Sequence, residues 1–279
     1  MKINYFLFII IFSLSKMILG NPDPDVNTKK KNITPLIWDI TDSINYIPAY
    51  DQYCGFDQKS IWGFKVDQTK KKDTSYFQLV YDSCDFSSPW TGRVTSSFGW
   101  RKNRPHYGVD IKLHTGDSVK SVFSGMVRIS KYSRSYGNVI VIRHENGLET
   151  LYAHLSKRIV KTGDFIDTGM TLGLGGNTGR SFGSHLHFET RYLGEPINPR
   201  DVFNITDSSF TVQKKKFELS SKSFSFVKEV RKIKHHRVRN GDSLWRISKK
   251  YGVSINQLCK INKINRKKSL KIGQKIRYN

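Results

Sequence analysis

The triplet His185-Leu186-His187 constrains this chain more than any other feature of its 279 residues. On a helix, positions i and i+2 point to different sides. On a strand they share one face, roughly 6–7 Å apart along the backbone. Leu186 and Phe188 then face a core while both imidazoles face a groove. His106 and Asp110, in His106-Tyr-Gly-Val-Asp110, are four positions apart, about 13 Å on a straight strand. Gly108 between them allows a bend that brings both to one point. His154, in the apolar run "LYAHLS", completes a set of histidines around one carboxylate. Such a set suits Zn²⁺ held by three protein ligands. One coordination position is left for water, which marks a catalytic rather than a structural metal, and the remaining imidazoles are available to move protons.

The surrounding sequence predicts a strand framework. "SVFSGMVRIS", "GNVIVIRH", "LETLYAHL" and "SHLHFETRYL" alternate or run apolar at strand length between Gly and Asn, and helical periodicity is nearly absent. Residues 89–203 are therefore expected to form an antiparallel β domain. Ahead of it, Lys2 and the apolar run Tyr5 to Leu14, followed by Lys16 and a cleavage boundary near Gly20, read as an export signal over residues 1–20. The run is short of the roughly 20 residues of a membrane span, and no later segment is long and apolar enough for one. Residues 21–88 form an N-terminal region of unknown role that begins with a polar leader (21–35). Residues 204–235 read as a basic linker or loosely packed extension. Residues 236–279 have the order strand, helix, helix, strand. Asp242 or Ser243 caps a helix over Leu244 to Tyr251, Gly252 ends it, and Ser254 to Gln257 opens a second helix.

The formal charge of +24 is concentrated at the C-terminal end, where Thr211 to Asn279 holds 21 Lys and Arg against three acids. In an exported chain the nearer polyanions are wall carboxylates and anionic surface polymers, so nucleic acid is not the expected partner. Gly175 to Gly179 lacks the lysine and following helix of a phosphate loop. Cys54 and Cys84 could pair, which on the chain-entropy model is worth about 3–4 kcal/mol. Cys259 is expected as a buried thiol. His114 and His144 read as surface or strand-end residues, His235 and His236 as solvated. Trp245 falls on the apolar side of its helix and is expected in the core. Ser181 and Ser184 suit substrate positioning better than a serine triad.

The motifs "GRVTSSFGWR", "HYGVDI", "GNVIVIRH", "LYAHLS", "GNTGRSFGSHLHFE" and "PINP", in this order, resemble the lysostaphin-type (LytM-type) zinc metallopeptidases, which cut peptide bonds in peptidoglycan. The resemblance implies an antiparallel β-sheet core with a loop-walled groove. It also implies that His106, Asp110 and His187 bind zinc, and that His154 and His185 act on the water and the developing oxyanion. Residues 236–279, through "RVRNGDSLWRISKKYGVS", Asn262 and "LKIGQKI", resemble the LysM module. That implies a small βααβ domain binding N-acetylglucosamine-containing glycan through Gly241, Asp242, Ser243 and Leu244 and through the loop around Ile264.

The chain is thus expected to be mainly β. Its expected function is a zinc-dependent endopeptidase, exported to the periplasm or cell envelope, that hydrolyses peptidoglycan cross-links while LysM tethers it to the wall. The alternative is a non-catalytic wall-binding regulator or activator of other hydrolases, with the groove occluded. Which of His154 and His185 accepts the proton is left open. A direct stem-peptide link is favoured as substrate over a glycine bridge.

Overall fold

A computed structural model describes residues 47–63, 74–102, 104–267 and 269–279. The segments assigned above to an export signal and polar leader lie outside the described residues. Among the described residues no helix is long and apolar enough to cross a membrane.

Eight antiparallel strands form the central sheet. In chain order they are β1 (Val94–Ser96), β2 (Val109–Lys112), β3 (Gly125–Ser133), β4 (Gly137–Arg143), β5 (Leu148–Leu155), β6 (Phe165–Ile166), β7 (His185–Tyr192) and β8 (Glu195–Ile197). Their spatial order is β6-β3-β4-β5-β7-β2-β1, with β8 paired to the end of β7. The sequence alternation sets the two faces. Val109, Ile111, Ile140, Ile142, Tyr152, Leu186 and Phe188 are buried on one face and pack against Val202, Phe203, Ile205 and Phe210. Phe188 meets Tyr152, Phe203 and Phe210 edge-on at 5.5, 5.7 and 5.4 Å between ring centroids. Burying a side chain of this size contributes about 1.5–3 kcal/mol.

The other face carries a small apolar cluster (Ile129, Val139, Val141, Leu151, Ala153) beside buried Arg128, Arg143, Glu149, Glu189 and Arg191. Glu149 accepts hydrogen bonds from Nε of Arg128 at 2.7 Å and from Nε of Arg143 at 3.0 Å. Backbone carbonyls of residues 47–63 take further guanidinium hydrogen bonds. Arg143 donates to Gly55, Arg128 to Asp57, Ser60 and Ile61, and Arg191 to Ile61. Tyr53 and Trp62 lie against Arg143 and Arg191 at 3.6 and 4.0 Å. Residues 47–63 are thus fastened across the polar face of the sheet. No buried side-chain N or O among the described residues lacks a partner.

The stretch 204–235, expected as a linker, is folded onto the domain. Phe203–Ile205 and Phe210–Val212 form a hairpin, and Lys216–Leu219 pairs antiparallel with Ser75–Gln78. Phe217, Leu219 and Phe224 are buried. Lys216 and Glu218 point outward from that strand, so charge masked its period of two. A helix α1 (Ser225–Lys232) follows. Its Phe226 meets Phe98, Trp100 and Tyr107 at 4.9, 5.4 and 6.1 Å, and its Glu229 accepts from Nε1 of Trp100 at 2.9 Å.

The C-terminal module has the expected order. His235–Arg237 pairs with Lys275–Arg277 around helices α2 (Leu244–Tyr251) and α3 (Ile255–Asn262). Ser243 and Ser254 cap them by accepting from the amides of Arg246 and Gln257, and Gly252 ends α2 with φ 65°. Three expectations are corrected in these regions. Trp245 is 59 % exposed: the buried side of α2 runs through Leu244 and Ile247, and a residue next to Leu244 is turned about 100° away. His236 is buried and bonded to Tyr251 and Asp242 rather than solvated. His144 is buried between the Ser124 carbonyl and the Thr150 hydroxyl, and burial pushes its pKa down to about 4. The three cysteines are free thiols. Cys54 and Cys84 are exposed and unpaired, and Cys259 is half-buried on the module's core.

Candidate functional site

The register of the sheet assembles the site. His187 on β7 lies directly opposite Asp110 on β2 and Ala153 on β5, and His185 lies opposite Lys112. His106 ends the short strand Arg104–His106, and Gly108 passes close under β7. A Cβ at Gly108 would sit 2.4 Å from the Phe188 carbonyl and 2.9 Å from the His187 ring. Close approach is therefore what requires glycine there. His154 reaches the groove through a β-bulge. Between the pairs Asn138–Leu155 and Ile140–Tyr152, two residues of β5 oppose one of β4. Strict alternation would aim His154 at the apolar core beside Tyr152, and the bulge re-aims it. Its φ of 62° is left-handed, a conformation costing about 1–3 kcal/mol in a non-glycine residue.

His106 Nε2, Asp110 Oδ1 and His187 Nδ1 converge at 3.1, 2.8 and 3.0 Å from one another. A tetrahedral zinc with ligands at about 2.0–2.1 Å has edges of about 3.3 Å, and this set of two imidazoles and a carboxylate fits it. Each imidazole has its other nitrogen engaged. His106 Nδ1 donates to the Ser97 carbonyl at 2.7 Å and His187 Nε2 to Glu189 at 2.8 Å, so in the neutral rings the inward nitrogens are the ones that offer lone pairs to a metal. Burial alone would raise the pKa of Asp110, but the hydrogen bonds and positive charge that His106 and His187 supply when protonated hold it well below the usual carboxylate range. Burial would likewise raise that of Glu189, and Arg191 and His187 instead bring it down to about 2.

His154 and His185 stand beside this cluster, their rings 4.8 Å apart. His154 Nδ1 donates to the Thr178 carbonyl and His185 Nδ1 to the Gly183 carbonyl, each at 2.7 Å. Both Nε2 atoms are left unprotonated, and that of His185 lies 3.6 Å from Asp110. Burial pushes the pKa of His154 down to about 4 and lowers that of His185. The groove encloses about 1120 Å³. Ser181 bonds to His185 and Ser184 to Thr115, with no triad.

Residues not anticipated from sequence complete the picture. Glu189 is legible in retrospect as the next same-face position after His187. Tyr136, 5.8 Å from the His187 ring, came from a turn with no motif. Arg101 places its guanidinium on Asp110 and within 2.8 Å of His106 Nε2, against the same lone pairs a metal would use. In the C-terminal module Gly241 turns with φ 81° and Asp242 is held by His236 and the Arg239 amide. Ser243 is the cap, Leu244 is buried, and Ile264 packs on the core.

Residues 104–199 match the model of Peptidase family M23, and residues 236–278 match that of the LysM domain. The chain carries an M23 peptidase domain and a LysM domain. Over 116 residues the chain is 40% identical to the DD-carboxypeptidase/endopeptidase Mpg of Neisseria meningitidis serogroup B, a match covering 39% of this chain and 27% of that protein. Over 117 residues it is 39% identical to the peptidoglycan DD-endopeptidase ShyC of Vibrio cholerae, again covering 39% and 27%. The chain thus spans about a quarter of the length of these relatives. Among solved structures, the catalytic domain of lysostaphin from Staphylococcus simulans is 30% identical with TM-score 0.39, covering 42% of this chain and 96% of that one. The M23 match spans the strand Arg104–His106, β2 and β7, which bear His106, Asp110 and His187.

Proposed function

We propose that this protein is a zinc-dependent endopeptidase acting on the peptide cross-links of peptidoglycan outside the cytoplasm, held on wall glycan by its LysM domain. The observation that carries the reading is the convergence of His106, Asp110 and His187 beside two imidazoles with bare Nε2 atoms. When bound to those three side chains, zinc supplies Lewis acidity and acidifies water. The depressed pKa of His154 keeps its ring neutral near pH 7, so Nε2 accepts the proton of the attacking water, a role His185 shares by position. The protonated imidazole then serves as hydrogen-bond donor to the developing oxyanion or to the leaving nitrogen. Thr178 and Gly183, by holding Nδ1 of each ring, fix which nitrogen faces the substrate. Gly241, Asp242, Ser243 and the segment around Ile264 are the proposed glycan contacts, and backbone atoms serve where Leu244 is buried.

Purified wall incubated with the full chain should release cross-link fragments, detected by mass spectrometry. Chelation or His187→Ala should bring release to background, a loss greater than the 10–100-fold expected for an outer partner of a ligand. Full release by His187→Ala would overturn the assignment. One observation favours the second reading, a non-catalytic wall-binding regulator: the Arg101 guanidinium lies on the donor cluster. No wall hydrolysis by the full chain, with zinc binding strengthened and hydrolysis appearing in Arg101→Ala, would establish it.

A further inference from the structure

The groove walls carry a charge pattern that the metal donors leave unused. Arg93, Arg104, Lys112 and Arg180 line the groove and are all exposed. No carboxylate among the described residues forms an ion pair with any of them. The carboxylates that line the groove are Asp110 and Glu189, both engaged inward with His106, His187 and Arg191. The four cations come from separate pieces of chain. Arg93 precedes β1, Lys112 ends β2, Arg104 opens the strand to His106, and Arg180 lies in the loop before β7. Two of them form a row with a proposed catalytic histidine. Lys112 is in register with His185 across the sheet, and its amide bonds to the Arg93 carbonyl at 2.8 Å. Side chains directly opposite on antiparallel strands are about 5 Å apart at Cβ, so the Lys112 side chain starts beside that of His185 and its ammonium is within reach of a ligand bound there.

Unpaired cations converging on one groove repel one another, and their field is focused by the low-dielectric walls. A ligand with complementary charge relieves that repulsion, and arginine's fork matches a carboxylate in two parallel hydrogen bonds. We propose that the groove selects a peptide cross-link bearing free carboxylates close to the scissile bond, and that Arg93, Arg104, Lys112 and Arg180 are the residues that read them. The proposal rests on the peptidase reading above. It excludes an uncharged glycine bridge as the preferred substrate and makes amidation of the stem peptide a block to cleavage.

The test uses the full chain loaded with zinc and two synthetic cross-linked stem-peptide dimers, identical except that the side carboxyls are free in one and amidated in the other. The expected result is at least about a tenfold higher kcat/KM for the free acid. In Arg104→Gln/Arg180→Gln protein the ratio of the two kcat/KM values should fall toward one, a readout that a general loss of folded protein does not move. Calorimetric binding of both dimers to His154→Ala protein separates the two readings. Selective binding of the acid with no cleavage by the unmutated chain would keep the charge reading and sink the peptidase one. Cleavage of both dimers at equal rates, or an unchanged preference in the double variant, would overturn the charge reading alone.

Discussion

The two faces of the central sheet are built on opposite rules. One face is dry, and Phe188, Tyr152 and Phe203 fill it by shape. The other buries Arg128, Arg143, Arg191, Glu149 and Glu189 and carries His106, Asp110 and His187, the proposed metal donors. Apolar packing tolerates small changes in volume, whereas a buried charge network tolerates no missing member. The second rule gives the His187 ring a fixed orientation through Glu189 and Arg191. It also makes the sheet depend on residues 47–63 for acceptors.

Equal damage from unlike causes should break both faces. Glu149→Gln leaves two buried guanidinium groups without their counter-charge and should cost about 3–5 kcal/mol. Phe188→Ala should cost a similar amount through a cavity. Urea denaturation measures both, and zinc titration of the folded fraction should show little change for either. A smaller effect comes from His144, at the rim of the dry face. The folded protein holds it neutral, with pKa about 4, while the unfolded chain takes a proton below about 6.5. The unfolded state therefore binds more protons in that window, and stability falls as pH drops. The loss should be about 2–3 kcal/mol between pH 7 and pH 4.5, with little change above about 7.5, and His144→Gln should flatten it. Glu189→Gln should lower zinc affinity by about 10–100-fold, read by competition with a chromophoric chelator. Trp245→Ala, on neither face and exposed, should shift stability by less than about 0.5 kcal/mol.

The sequence made the site legible wherever a side chain follows the strand period. His185 and His187 share a face as their spacing required, and both helix caps of the LysM domain fall on the serines that signal them. It failed where tertiary structure overrides the period. Residue type and the family resemblance single out His154 but not its path to the groove: it arrives there through a bulge that breaks alternation. His144 lies beside a turn, a place that usually means solvent, yet Phe123 and Thr150 close over it. The buried arginines look like surface charge, because their acceptors are backbone carbonyls 67 to 130 positions away along the chain.

The docking of α1 has a consequence for reach. The helix ends at Lys232 and the first LysM strand begins at His235, so the free leash is Ile233 and Lys234, at most about 7 Å of extended chain. Asn279 and Tyr278 shorten it further by bonding back to Lys232 and Lys234. If the LysM domain grips glycan as proposed, so short a leash commits the groove to the immediate neighbourhood of the gripped strand. Under that proposal, the distance covered on a wall would be governed by how often the grip is released, and hardly at all by how far the chain can stretch.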